Sequence, residues 1–158
     1  MRPYAVAKNQ RLDRIVYRTA NQPVFFTIRA REDMRPFVDV AFGQAVVNCL
    51  LEERKVCGCF VHVYALLPDH LHVVSSPATD ENDLLTFVDR FKGKSARIGW
   101  NFGNQGRLWQ PRSYDHAIRK AEDLNEIGEY VLANPVRLGL VDRWEDYPLC
   151  GLIDPWPA

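Results

Sequence analysis

The apolar positions of this chain change period several times along its length. "PVFFTIRAR" (23–31) is dense in β-branched and aromatic residues and predicts a strand. The period then lengthens: "PFVDVAFGQAVVNCLLEER" repeats its apolar residues at helical spacing, which predicts a helix over 37–54. "VCGCFVHVYALL" predicts a strand over 56–67, Pro68-Asp69 supplies a turn, and "HLHVVSS" (70–76) returns as the second arm of a hairpin. "DENDLLTFVDRFKGKSARIGW" predicts an amphipathic helix over 80–100, with acids in its first turn and bases at its end, as the helix dipole favours. A glycine-rich loop, "NFGNQGRLW", leads to a short strand "SYDHAIR" (113–119). A third helix follows over 120–134 and is stopped or kinked by Pro135. The order β-α-β-β-α-β-α predicts a ferredoxin-like α+β layout: an antiparallel sheet with helices packed on one side and the His-x-His strand near its centre.

Length and composition narrow the class. The chain has 158 residues, 47% hydrophobic and 25% charged, which suits one domain, 1–158, with a substantial core. No apolar run approaches the roughly 18 residues of a membrane span, so no membrane partner is expected. The first residues, "MRPYAVAKNQRLDR", contain no apolar leader core. The four cysteines (Cys49, Cys57, Cys59, Cys150) have neither disulfide nor zinc spacing, which fits reduced thiols in a cytoplasm.

The formal net charge is zero, but its distribution is uneven. Residues 1–20 carry five bases against one acid, and residues 90–120 carry eight against one. Residues 21–89 carry five bases against ten acids, and 121–158 two against eight. In the second basic block Arg90, Lys92, Lys94, Arg97, Arg107, Arg112, Arg119 and Lys120 interleave with Phe91, Trp100, Phe102, Trp109 and Tyr114. Cations contact phosphates without reading sequence, and exposed aromatics stack on unpaired bases, so the pattern points to single-stranded nucleic acid. The competing reading is a solvated charged face with Trp109 and Phe91 in the core.

"LLPDHLHVV" (66–74) carries the first candidate chemistry. In a strand, residues two apart share a face, so His70 and His72 project side by side with Leu71 turned away. Two imidazoles held this way can ligate a metal, or can simply sit on a partly exposed strand. In "EYVLANPVRLGLV" (129–141), Tyr130 and Asn134 are one helical turn apart at the margin of a stripe formed by Leu124, Ile127 and Val131. A helix packed on the sheet could present the phenol and the amide to the histidines. Taken alone, they read equally as a half-buried core tyrosine and an asparagine preceding a proline.

"LPDHLHVV", "LWQPRSYDHAIR" and "EYVLANPVRLGLV" together resemble the single-tyrosine HUH transposases, and among them the REP-associated tyrosine transposases of bacteria. The resemblance spans about residues 14–148. It implies the HUH endonuclease fold, with Tyr130 as the nucleophile and His70, His72 and Asn134 as ligands of a divalent metal, Mg²⁺ or Mn²⁺. It further implies attack on a scissile phosphate to form a covalent 5′-phosphotyrosine with a free 3′-OH, on single-stranded DNA that folds as a palindromic hairpin. Arg14 and Arg18 match a basic N-terminal stretch that contacts DNA in this family. A bacterial cytoplasmic, nucleoid-associated location is implied, and relatives include both monomers and homodimers.

Glu126 and Glu129 read as surface charges beside Tyr130. Tyr114 is the competing nucleophile, lacking a ligand one turn on. His62 and His116 read as structural or DNA-contacting. Three functions stay open at this point: a metal-dependent single-strand endonuclease and strand transferase, a domesticated hairpin-binding protein that no longer cuts, and a hydrolase of small phosphoesters.

Overall fold

A computed structural model describes residues 10–120 and 122–157. The expectation of no apolar leader was read on residues 1–14, of which 1–9 lie outside those described. The sheet has five strands, β1 (Val24–Ala30), β2 (Cys59–Leu67), β3 (His70–Pro77), β4 (Trp109–Ala117) and β5 (Cys150–Leu152), in the order β4-β1-β3-β2-β5. Every pairing is antiparallel, so the fold is α+β as expected, and β3 is the central strand. The helices are α1 (Val40–Val56), α2 (Leu84–Trp100), α3 (Leu124–Leu132) and the single turn α4 (Asn134–Arg137).

One expectation is corrected: helices cover both faces of the sheet. Val24, Phe26 and Ile28 of β1 join Leu71 and Val73 of β3 in a core closed by α1 and α2, with Phe42, Leu50, Phe87 and Phe91. Phe25, Val63, Ala65 and Val74 face the other way, into a second core with Ile127, Tyr130 and Val131 of α3. The reason is legible in the strands, which are buried along almost their whole length. A sheet apolar on both sides must bury both.

Element starts shift where acids are used as caps. Asp83 accepts from Leu85 N at 2.9 Å, so α2 begins at Leu84 rather than 80, and Asp80 is spent on Ala20 N at 2.7 Å. Asp39 caps α1 behind a short 3-10 turn at Pro36–Val38. Asp123 accepts from Asn125 N at 2.8 Å and starts α3 at Leu124. The strand expected at 113–119 begins four residues earlier, at Trp109, and holds Pro111 because β4 is an edge strand. β5, three residues long, has too short a pattern to be read from sequence.

Among the described residues no helix is long and apolar enough to cross a membrane.

Candidate active site

The register of the central strands builds the site. His70 and His72 leave β3 on the face covered by α3, opposite Arg29 and Thr27 of β1. Their rings lie 4.7 Å apart, nearly perpendicular. The two-residue turn before them is pinned from outside. Ala30 N donates to Asp69 O at 2.8 Å and Phe37 N to Pro68 O at 3.1 Å.

Each imidazole is held through Nδ1. Asp69 Oδ1 lies 2.7 Å from His70 Nδ1. The His70 hydrogen bond holds the Asp69 carboxyl below its ordinary range, so it is an acceptor and fixes the proton on Nδ1. Thr27 Oγ1 lies 2.9 Å from His72 Nδ1. Burial, then the charges of His70, Arg137 and Arg29, push His72 well below the ordinary histidine value, so it is the neutral imidazole. Both rings are left with Nε2 for a ligand, each with a partner on the other nitrogen, as metal-binding histidines are held.

The tyrosine comes from the opposite layer. Tyr130, on α3, is buried against Phe25, and its ring centroid lies 6.3 Å from that of His72. Burial raises its pKa, and the charge of Arg137 pulls it back down. The Arg137 guanidinium carbon sits 4.4 Å from the Tyr130 ring centre. Asn134 has a local task that its sequence context explains. Pro135 has no N–H to close on the Val131 carbonyl. Asn134 Nδ2 donates to that carbonyl and to Tyr130 O, both at 3.1 Å. With its nitrogen turned to the helix, the amide presents its oxygen away from it.

Thr27, Arg29, Arg31, Asp69, His70, His72, Tyr130, Asn134 and Arg137 line one cleft of about 540 Å³. The donor set fits a divalent cation: two imidazole nitrogens and one amide oxygen, with the rest of the shell left for water or phosphate. Among the described residues no group of three His, Cys, Asp or Glu side chains could hold a metal. Asn134 is the amide that this cleft brings beside the two imidazoles.

The cationic residues expected to contact DNA do not line this cleft. Arg90 Nε and Lys94 Nζ are committed to Glu53, a buried carboxylate on α1, at 3.0 and 3.1 Å. Lys92 Nζ donates to Gln110 O at 2.8 Å. Arg18 pairs with Asp83 at 3.1 Å. Arg14, Arg97, Arg107, Arg112 and Arg119 are exposed. Arg107 shares a smaller groove with Arg31, at the cleft's edge. Of the aromatics, Trp109 and Phe91 are core, Trp109 donating Nε1–H to Ser95 Oγ at 2.8 Å, whereas Trp100 is 53% exposed. Tyr114 is buried beside Ile118 in the second core and does not reach the cleft. Glu126 and Glu129 are exposed. His62 is buried between Ser76 and Trp156, and His116 meets Glu122 at 3.0 Å.

Sequence reasoning missed Thr27, Arg29, Arg31, Asp69 and Arg137. Only two carried a local signal: Asp69 adjoins His70, and Arg137 lies two helical turns from Tyr130.

No protein-family model matches the chain. It is 24% identical over 124 residues to the REP-associated tyrosine transposase of Escherichia coli K12, covering 78% of this chain and 72% of that one. It is 33% identical over 142 residues to a Haemophilus influenzae Rd protein assigned to the same group, covering 78% and 76%. A solved structure of a REP-associated tyrosine transposase bound to a REP hairpin superposes with a TM-score of 0.71 at 21% identity, covering 91% of this chain and 82% of that one. A Deinococcus radiodurans R1 protein assigned as a transposase superposes at 0.52 and 20% identity, covering 69% and 87%. These structural likenesses are likenesses of fold.

Proposed function

The chain belongs to the REP-associated tyrosine transposase family, and on that premise we propose that it cuts and rejoins single-stranded DNA beside a hairpin through a covalent tyrosyl intermediate. The observation that carries this reading is the convergence of Tyr130 and His72, from opposite layers of the fold, at 6.3 Å in one cleft with His70 and Asn134. The hairpin is the substrate class because a solved relative is bound to one.

A phenol is a weak nucleophile near neutral pH, and the phosphodiester it attacks repels it. His70, His72 and Asn134 would hold Mg²⁺ or Mn²⁺, which supplies charge to polarise a phosphate oxygen. The chain's own residues do the rest. Asp69 fixes the His70 proton on Nδ1, and Thr27 holds the His72 ring by its Nδ1, which leaves Nε2 of each ring for a ligand. Phe25 packs against the Tyr130 ring and sets its direction. Arg29 and Arg31 line the same cleft and offer donors to the strand's phosphates. Tyr130 Oη bonds to phosphorus as the P–O3′ bond breaks. The 3′-oxygen leaves and takes up a proton, and the phenol gives one up. The reverse step, attack by a 3′-OH on the phosphotyrosine, rejoins strands without an external energy source because bond types are exchanged one for one.

The test uses purified protein and labelled single-stranded hairpins from the flanks of its own gene, with and without Mn²⁺, beside Tyr130→Phe. A metal-dependent, protease-sensitive covalent band that the variant lacks is expected. Native binding without any covalent band would leave a hairpin-binding protein. Hydrolysis of small phosphoesters without a protein–DNA adduct would leave a hydrolase.

A further inference from the structure

Arg137 stands in the cleft without an evident structural need for it. The carbonyl it reaches, Tyr130 O, is 3.4 Å from Nη2 and already accepts from Asn134 Nδ2 at 3.1 Å. Other cations near the helices are neutralised by carboxylates: Arg90 and Lys94 by Glu53, Arg54 by Asp154, Arg18 by Asp83. Among the described residues no carboxylate lies within salt-bridge distance of Arg137. Its guanidinium lies instead over the Tyr130 ring, 4.4 Å from its centre, and lines the cleft that holds the histidines. A planar cation against an aromatic face is attracted to it, and more strongly once that ring carries negative charge.

From this geometry we infer that Arg137 is a catalytic residue, an electrostatic clamp that stabilises the Tyr130 phenolate as it forms before attack and as it departs during rejoining. The inference rests on the covalent mechanism proposed above. In cleavage the Tyr130 O–H bond breaks and the Oη–P bond forms while P–O3′ breaks. In rejoining the O3′–P bond forms, Oη leaves phosphorus with the electron pair, and the phenolate is then protonated. In both directions negative charge on Oη passes beside a cation that is already in place, so no reorganisation is needed when it appears. Helix geometry makes the placement: residue 137 lies two turns beyond residue 130, bringing its side chain back over the same face.

The experiment is single-turnover cleavage and rejoining on a labelled hairpin with Mn²⁺, comparing wild type, Arg137→Gln and Arg137→Lys, with hairpin affinity measured separately. Arg137→Gln is expected to slow both directions by about 10²–10³-fold, the range for losing one transition-state donor, with hairpin affinity nearly unchanged, and Arg137→Lys to recover part of the rate. A second readout is chemical. Difluorotyrosine at position 130 makes the phenolate a better leaving group, and it should speed rejoining more in Arg137→Gln than in the arginine protein. If Arg137→Gln fails to fold, the same comparison is made with Arg137→Lys. Equal rates in the variants, loss of rate only in proportion to lost hairpin affinity, or identical fluorination responses would each overturn the inference. Absence of any adduct with wild-type protein would instead remove the covalent reading on which it rests.

Discussion

Thr27 and His72 face one another across neighbouring antiparallel strands, and their side chains meet, Thr27 Oγ1 lying 2.9 Å from His72 Nδ1. The threonine sits almost fully buried between the cleft and the core. Its hydroxyl holds the His72 ring by Nδ1. Thr27→Val keeps the shape and removes the partner. Mn²⁺ affinity is expected to fall about 10–100-fold, the usual cost of losing a ligand's outer partner, with Thr27→Ser close to wild type. Titration calorimetry with Mn²⁺ reads the difference, and equal affinities would show that the hydroxyl does not orient the ring.

Asn134 holds the helix end with its amide nitrogen, and the proposed metal would take its oxygen. Asn134→Ala strips a donor from the carbonyls of Tyr130 and Val131. A loss of about 1–2 kcal/mol in urea unfolding is expected. Adding Pro135→Ala restores the missing backbone N–H and should recover part of it. Asn134→Asp keeps an oxygen for the metal but loses the donor, so it should unfold early while still binding Mn²⁺. If it were as stable as wild type, the capping role would be wrong.

The cations of α2 and those of the cleft are expected to separate in a salt titration. Lys94 is tied to Glu53, which is almost fully buried, so Lys94→Gln should lower stability and leave the salt slope of hairpin binding unchanged. Glu53→Gln should cost about 1–3 kcal/mol, moderated because Arg90 and Lys94 can turn to water. Arg31 lines the cleft and is exposed. Arg31→Gln should reduce the slope of log K against log salt by about 0.7, one phosphate contact to a single strand. A reduced slope in Lys94→Gln would place DNA on the α2 face instead.

Stability should fall on the acid side. His62 is buried with Nε2 2.7 Å from Ser76 Oγ and its ring stacked on Trp156, and burial lowers its pKa below the ordinary 6.5. The unfolded chain therefore binds a proton that the folded chain refuses. Stability is complete above about pH 6.5 and is lost as pH falls from there toward the lower folded-state value, by up to about 1.4 kcal/mol per pH unit. His62→Gln should flatten that part of the curve, leaving the slope due to His72, which is buried neutral in the same sense. Urea midpoints between about pH 8 and about pH 5 measure it, and an unchanged slope in the variant would rule His62 out as a source.

The hydrophobic pattern alone determined the order of elements from β1 to α3, the hairpin that places His70 and His72 on a shared face, and the helix that puts Tyr130 and Asn134 one turn apart. These are local consequences of periods near 2 and 3.6, and a chain carries them without knowing its partners. Tertiary structure alone decided which face each helix covers. The sequence reading put all helices on one side, whereas α3 crosses to the other and thereby meets the histidines. The same long-range pairing selected the histidines' partners and the role of each cation. Thr27 is 45 residues from His72, and Glu53 is 37 and 41 residues from Arg90 and Lys94. A basic residue in a sequence shows its charge but not whether a buried carboxylate has already claimed it. That is a property of packing, in which strand register and helix crossing bring distant residues within hydrogen-bond reach.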